Sequence, residues 1–184
     1  MIQSNKYTFK VVVIGEPRVG KTSLIRRFAD NTFSDTYKTT IGADFSIKVI
    51  ELMNNKVFLT IWDIGAQERF SELRNYYYNG ADAAILVYDV ANPKTLDLLH
   101  HWNNDFTKST SEDTPRIIVG NKIDLLDDES NRLHFKSAKK FCDDEGIELI
   151  FSSAKTNYNV YDIFKKISEL CLKRYNIGLI ISEI

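Results

Sequence analysis

Gly15-Glu16-Pro17-Arg18-Val19-Gly20-Lys21-Thr22 follows the apolar run Val11-Val12-Val13-Ile14 and leads into Ser23-Leu24-Ile25-Arg26-Arg27-Phe28. These residue types read as a strand, a tight loop and a helix. The spacing, Gly, four residues, Gly-Lys-Thr, is that of a phosphate-binding P-loop. Glycines let the loop's backbone N–H groups converge on a phosphate chain with no Cβ in the way. A helix starting near Lys21 adds unpaired N–H groups and the positive end of its dipole. Lys21 suits the β- and γ-phosphates as a point charge, and the Thr22 hydroxyl suits Mg²⁺. A chance glycine turn is the plain alternative, and the full pattern in a strand–loop–helix context disfavours it. The loop alone leaves open which nucleotide is held and whether it is hydrolysed.

Composition bounds the rest. A chain of 184 residues suits one domain, and 43% hydrophobic residues suit a full core rather than disorder. The net charge of −1 supplies no global field to attract nucleic acid or anionic lipid. Cys142 and Cys171, without paired spacing or a nearby histidine, read as small buried hydrophobes of a reducing compartment. Met1 to Lys6 carries neither an apolar signal region nor a myristoylation pattern, and no apolar run reaches bilayer length. A soluble, cytoplasmic protein is expected.

From the P-loop outward, Thr8–Ile14 is expected as a buried strand and the following helix runs to about Asp30. Asn31 to Ile41 is polar and irregular, with Phe33 and Tyr37 embedded in it. Asp44–Leu52, with Phe45, Ile47 and Val49 on one face, reads as a half-buried strand. A turn over Met53–Lys56 joins it to a return strand, Val57–Trp62, so the pair is antiparallel. A helix over Glu68–Asn79 ends at Gly80, and Ala83–Tyr88 is a strand of the doubly buried type. Pro93 opens a helix to about Lys108. Arg116–Gly120 is a strand, Leu133–Glu145 a helix, Ile147–Phe151 a strand, and Val160 to about Arg174 the last helix. The charged run Asp127-Asp128-Glu129 reads as a solvated loop. Alternation of this kind predicts a mostly parallel α/β sheet covered on both faces, with ligands at the carboxyl ends of the strands.

Asn121-Lys122-Ile123-Asp124 stands at one such strand end. There the Asp124 carboxylate can accept from a guanine ring N–H and exocyclic amine, which adenine does not offer in that arrangement. The Lys122 stem can lie over the base, and Asn121 can tie this loop to the P-loop. Ser153-Ala154-Lys155 supplies a backbone N–H for the guanine oxygen, with Lys155 beside the ring.

With these motifs in place the chain resembles a small GTPase of the Ras superfamily, and within it the Rab branch. The resemblance lies in Ile41-Gly42-Ala43-Asp44-Phe45, Trp62-Asp63, Gln67-Glu68-Arg69-Phe70, Tyr76-Tyr77-Tyr78 and Val87-Tyr88-Asp89-Val90, and covers about residues 7–175. It implies one three-layer G domain over 1–184, with a tail from 176. That domain has a six-stranded, mostly parallel sheet with one antiparallel strand, and five helices. It implies GTP or GDP with Mg²⁺, slow hydrolysis, and a role in membrane trafficking or signalling. Thr22, Thr40 and Asp63 are the implied metal residues. Gln67, with Lys21 and Thr40, is implied in catalysis, Gln67 by orienting the attacking water. The implied nucleotide contacts are Gly15, Arg18, Val19, Gly20, Lys21, Thr22, Ser23, Phe33, Tyr37, Thr40, Ala66, Asn121, Lys122, Asp124, Ser153, Ala154 and Lys155. Ile41, Phe45, Trp62, Phe70 and Tyr77 are the implied surface for effectors, beside an exchange factor and a GTPase-activating protein. A monomer is expected, with peripheral membrane attachment open.

Three departures stand out. Pro17 replaces a residue that is commonly small, and it lacks an N–H. Asp63-Ile64-Gly65-Ala66-Gln67 stands where the family commonly has Asp-Thr-Ala-Gly-Gln, so Ala66 replaces a glycine and Gly65 is expected to take over the hinge. The sequence ends Ile177-Gly178-Leu179-Ile180-Ile181-Ser182-Glu183-Ile184 without a prenylation cysteine, and this apolar tail is expected to pack on the domain. A binding-only GTP-holding scaffold is the alternative that Pro17 and Ala66 favour, against Gln67 and Thr40. A P-loop kinase is the third reading, which Asn121-Lys122-Ile123-Asp124 opposes.

Overall fold

Val11 to Ile14 has no polar face, so a strand built from it must be covered twice. In the computed structural model, which describes residues 5–34, 36, 38–52, 54–66 and 71–177, Val11 and Val13 enter one hydrophobic cluster while Val12 and Ile14 enter another. They belong to strand β1 (Lys6–Ile14), followed by α1 (Lys21–Asp30), β2 (Ala43–Leu52), β3 (Asn55–Ile64), α2 (Ser71–Tyr78) and β4 (Ala83–Asp89). Then come α3 (Lys94–Asp97), α4 (Leu99–Ser109), β5 (Arg116–Asn121), α5 (Asp128–Glu145), β6 (Glu148–Phe151) and α6 (Val160–Arg174). The strands form a six-stranded sheet in the order β2-β3-β1-β4-β5-β6, parallel throughout except where β2 runs against β3.

The same alternation runs through β4 and β5. Ile85, Val87, Ile117 and Val119 pack with Leu24, Ile163 and Phe164 on the α1/α6 face. Leu86, Tyr88 and Ile118 pack with Leu99, Phe106 and Cys142 on the α4/α5 face. The three-layer α/β architecture is therefore the one expected. Both cysteines are buried and free, and burial pushes each thiol up to about 12.

Four local expectations are corrected. The apolar side of β2 is not its buried side: Phe45 and Ile47 are 60% and 61% exposed, while Ile50 and Leu52 are buried. β2 is the sheet edge, and its packing partners α1 and α6 lie on the side of Ile50 and Leu52. The helix expected from Pro93 to Lys108 is interrupted at Leu98, where His101 N–H bonds the Leu98 carbonyl in a tightened turn. Counted as one broken element, it leaves five α-helices among the described residues. α5 starts at Asp128 rather than Leu133, so the backbone of Asp128 and Glu129, expected as loop, is helical. The turn between β2 and β3 is shorter than expected, since pairing runs to Leu52 opposite Asn55. Asn54 takes up the left-handed backbone there, at φ 64°.

Gly80 follows α2 at φ 70°, as a helix-ending glycine should. The start of that helix expected at Glu68 to Phe70 falls outside the described residues, as does most of the C-terminal tail. Ile177, where description stops, packs against the α1/α6 cluster.

Candidate functional site

The carboxyl ends of β1, β3, β5 and β6 open onto a cavity of about 540 Å³. Its lining includes Arg18, Gly20, Lys21, Thr22, Ser23, Phe33, Thr40, Ala66, Asn121, Lys122, Asp124, Ala154 and Lys155. Gly15, Val19, Asp63 and Ser153 are buried behind that lining. Tyr37, Gln67 and Phe70 fall outside the described residues. Among the described residues the lining carries six basic side chains (Arg18, Lys21, Arg26, Lys38, Lys122 and Lys155) against one acidic one, Asp124. In a chain of net charge −1, that concentration of positive charge suits a polyanion.

At the phosphate end, β1 stops at Ile14 and the loop doubles back before α1. Gly15 and Gly20 have φ of 137° and 100°, values that disfavour any side chain. A Cβ on Gly15 would lie 2.1 Å from the Val87 carbonyl oxygen, and one on Gly20 2.2 Å from Asn121 Nδ2. These glycines are thus required by packing against β4 and Asn121. Lys21 Nζ donates to the Gly15 and Glu16 carbonyls at 2.7 and 2.9 Å. Burial lowers its pKa to about 8, although Asp63 and Glu16 pull the other way.

Three oxygens meet beside it. Thr22 Oγ1 and Thr40 Oγ1 are 3.1 Å apart, and Thr40 Oγ1 donates to Asp63 Oδ2 at 3.2 Å. Thr22 Oγ1 also donates to Asp63 Oδ2. Asp63 Oδ1 is buried with no hydrogen-bond partner, and burial raises the Asp63 pKa despite both hydroxyls and Lys21. A buried, half-satisfied carboxylate flanked by two hydroxyls is a hard oxygen donor set, and it fits Mg²⁺.

At the other end, Asn121 is almost fully buried and does what its motif predicts. Its Nδ2 donates to the Val19 carbonyl at 2.9 Å, and its Oδ1 accepts from the Ala154 amide at 3.2 Å. One side chain thus joins the P-loop to the loop after β6. Asp124 Oδ1 accepts from Ser153 Oγ. Lys122 sits at φ 71°, and its Nζ is held by Asp89 Oδ2 at 2.6 Å. Phe33 is half-buried: it lines the cavity, packs against the α1/α6 cluster, and has the Arg27 guanidinium 5.9 Å from its ring centre.

Gly65 does not act as a hinge through its φ, which is not in the positive range. It is a close-approach glycine: a Cβ would lie 2.6 Å from the Thr40 carbonyl oxygen and 2.8 Å from that of Gly42. On the outer face, Ile41 is exposed, and Phe45, Trp62 and Tyr77 form a chain of rings with centroids 5.8 and 6.3 Å apart.

Four contributors escaped the sequence reading. Arg27 donates to the carbonyls of Ala154 and Lys155 at 2.9 and 3.1 Å, fixing that loop. Asp89 orients Lys122. Ser153 uses its side chain as well as its backbone. Glu16 of the P-loop accepts from Trp102 Nε1 at 2.8 Å. Each pairs residues far apart in sequence, except that Asp89 stands in Val87-Tyr88-Asp89-Val90, whose resemblance to a family motif was the available signal.

A sheet with this order, ending in a P-loop, an oxygen cluster and an Asn-Lys-x-Asp loop, defines a nucleotide-binding G domain. The family model described as the Ras family matches residues 10–173, and the chain belongs to that family. It is 39% identical over 179 residues to Ras-related protein Rab-12 of Rattus norvegicus, covering 97% of this chain and 73% of that protein. It is 42% identical over 168 residues to Ras-related protein RABG3b of Arabidopsis thaliana, covering 89% and 83%. Against Ras-related protein Rab-8B of Bos taurus it is 37% identical over 176 residues, covering 96% and 84%. The chain is a Rab-like small GTPase. Members of the family bind guanine nucleotides with Mg²⁺ and are met by exchange factors, activating proteins and effectors. Among the described residues no helix is long and apolar enough to cross a membrane.

Proposed function

We propose that this chain is a single G domain over residues 1–184 that binds GTP or GDP with Mg²⁺ and slowly hydrolyses GTP as a switch in membrane trafficking or signalling. The observation that carries this reading is the meeting of Lys21, the Thr22–Thr40–Asp63 oxygens and the Asn121–Lys122–Asp124 loop around one cationic cavity. Thr22, Thr40 and Asp63 hold Mg²⁺, which when bound screens phosphate charge. Lys21 and the loop N–H groups face the phosphates and stabilise charge as it spreads onto their oxygens. Gln67 orients water. Phe33, Lys122 and Lys155 flank the base, Asp124 reads its edge, and the Ala154 region receives its oxygen. Ile41, Phe45, Trp62, Phe70 and Tyr77 meet effectors, and the protein works as a monomer.

The test is a nucleotide-preference titration on nucleotide-free protein, followed by single-turnover hydrolysis beside Gln67→Leu. Guanine nucleotides are expected to bind far more tightly than adenine nucleotides, and hydrolysis to be slow and slower still in the variant. Equal binding of both bases would overturn the reading. Tight GTP binding with no hydrolysis in either protein would leave a GTP-holding scaffold.

A further inference from the structure

Arg74 of α2 is the only arginine of that helix, and it points inward: its side chain is 13% exposed. Its guanidinium carbon lies 4.1 Å from the ring centre of Trp102 on α4, within cation–π range. The indole N–H of Trp102 donates to Glu16 Oε1 in the P-loop at 2.8 Å. Donation to a carboxylate enriches the ring electronically, which strengthens its hold on a cation. On the other side, Arg74 Nη2 reaches the Ala66 carbonyl at 3.5 Å, and Nη1 stands 3.9 Å from Asp105 Oδ2. Among the described residues Arg74 Nε is buried without a partner. The side chain is therefore not placed to satisfy all its donors. It is placed to span from Trp102 to Ala66.

We propose that Arg74 is a positioning residue for GTP hydrolysis: through Trp102 it ties Glu16 of the P-loop to Ala66, and so holds the Ala66 carbonyl, just past the end of β3, in one orientation at the cavity. This rests on the hydrolytic reading above. Ala66 lines the cavity and in sequence is the residue before Gln67, to which the proposed function gives the attacking water. The link runs P-loop, α4, α2, β3 end, and it bypasses the base-binding loops. Its loss should therefore act on turnover more than on affinity.

A purely structural role is the competing account. α2 and α4 are also joined by Ser109 Oγ to Asn75 Oδ1 at 2.9 Å and by the edge-on contact of Tyr78 with Phe106, so α2 keeps anchors when Arg74 is cut. The experiment compares full-length wild type, Arg74→Ala, Arg74→Lys, Trp102→Phe and the Arg74→Ala/Trp102→Phe double variant. Each is measured for single-turnover GTP hydrolysis, fluorescent GDP dissociation and thermal unfolding. Misplacing a reacting group by an ångström costs up to about a hundredfold, so Arg74→Ala is expected to slow hydrolysis between about tenfold and a hundredfold, with GDP dissociation within about twofold of wild type. Lysine should recover part of the rate, since it keeps the cation over the ring. The double variant should be no slower than Arg74→Ala alone, because both cut one link. Independently of turnover, Trp102 emission in a Trp62→Phe background should differ between GDP and a non-hydrolysable GTP analogue, and Arg74→Ala should diminish the difference, leaving the part due to Lys21 Nζ, 6.0 Å from the same ring centre. Wild-type hydrolysis in Arg74→Ala, or a rate loss that merely tracks GDP dissociation and unfolding temperature, would overturn the proposal while leaving the GTPase reading intact. A wild type that hydrolyses nothing would instead overturn the hydrolytic reading and this role together.

Discussion

The Gly65 amide donates to the Gly42 carbonyl at 2.8 Å, which seams the end of β3 to the chain that carries Thr40. The seam works only because residue 65 has no side chain. With a Cβ there, the Thr40 and Gly42 carbonyl oxygens would stand 2.6 and 2.8 Å away. Gly65→Ala is therefore an overpacking change, expected to destabilise by about 1–3 kcal/mol. It should also push Thr40 away from Asp63, so affinity for a GTP analogue should fall relative to GDP. Unfolding midpoints and the ratio of the two dissociation constants test this; values matching wild type would show that the segment yields freely.

Ala66 presents the reverse case. Its φ is not positive, and alanine resists the left-handed region that glycine enters easily. Replacing it with glycine should free the peptide on its N-terminal side, which carries the residue's own N–H, to turn toward the phosphate, while Arg74 keeps its hold on the carbonyl on the other side. The expected gain is about 1 kcal/mol in the barrier, roughly fivefold in single-turnover hydrolysis. Hydrogen exchange over residues 64–74 should rise in parallel. An unchanged rate with unchanged exchange would count against any restraint by Ala66.

Much of this was legible in the sequence, for identifiable reasons. Strands β1, β4 and β5 could be read because their apolar runs lack a polar face, and both faces are indeed used. Asn121 could be placed against the P-loop, 102 residues away, because the chemistry of base and phosphate fixes the distance between two recognisable motifs. The exposed face of β2 could not be foreseen. Alternation reveals two faces, but which one meets helices depends on the strand's position at the sheet edge. The break at Leu98 leaves its backbone dihedrals helical and has no proline or glycine to announce it. Arg27, Asp89 and Arg74 act through contacts that no local spacing encodes.

Asp89 carries the third prediction. Its Oδ2 holds Lys122 Nζ at 2.6 Å and its Oδ1 accepts the Ala91 amide at 2.9 Å. Asparagine keeps an acceptor for Ala91 and loses the charge that fixes Lys122. A charge-assisted hydrogen bond is worth about 1.5–3 kcal/mol, and Lys122 is partly exposed, so the lower end applies. GDP should dissociate roughly tenfold faster from Asp89→Asn. A dissociation rate equal to wild type would mean that Lys122 needs no such anchor.

Pro17 is exposed on the cavity rim beside Arg18. Having no N–H, it donates nothing to a phosphate, and its ring stands at the rim of the cavity proposed to hold the phosphates. Pro17→Gly should leave intrinsic GDP affinity within about twofold, since one exposed loop residue changes little by itself. It should alter the stimulation given by a cognate activating protein. Equal stimulation of both proteins would remove the idea.

High pH offers a test of the core rather than the site. The thiols of Cys142 and Cys171 are pushed from 9.0 to about 12 by burial, and burial raises the Tyr78 and Tyr88 hydroxyls as well. Between pH 9 and 12 the unfolded chain loses these protons while the folded chain keeps them. The unfolded state then binds fewer protons, so stability falls as pH rises through that window. Lys21 acts oppositely: lowered from 10.5 to about 8, it adds stability with rising pH between those values. The denaturant midpoint should therefore hold or rise slightly from pH 8 to 9 and fall with increasing steepness above pH 10. Cys142→Ala should flatten the fall by up to about 1.4 kcal/mol per pH unit, the contribution of one proton. The same burial should leave both cysteines of the folded protein unreactive toward iodoacetamide at about pH 8, with alkylation appearing only in denaturant. Rapid alkylation of the native protein would mean that the α4/α5 face around Cys142 or the α1/α6 face around Cys171 opens far more readily than its packing implies.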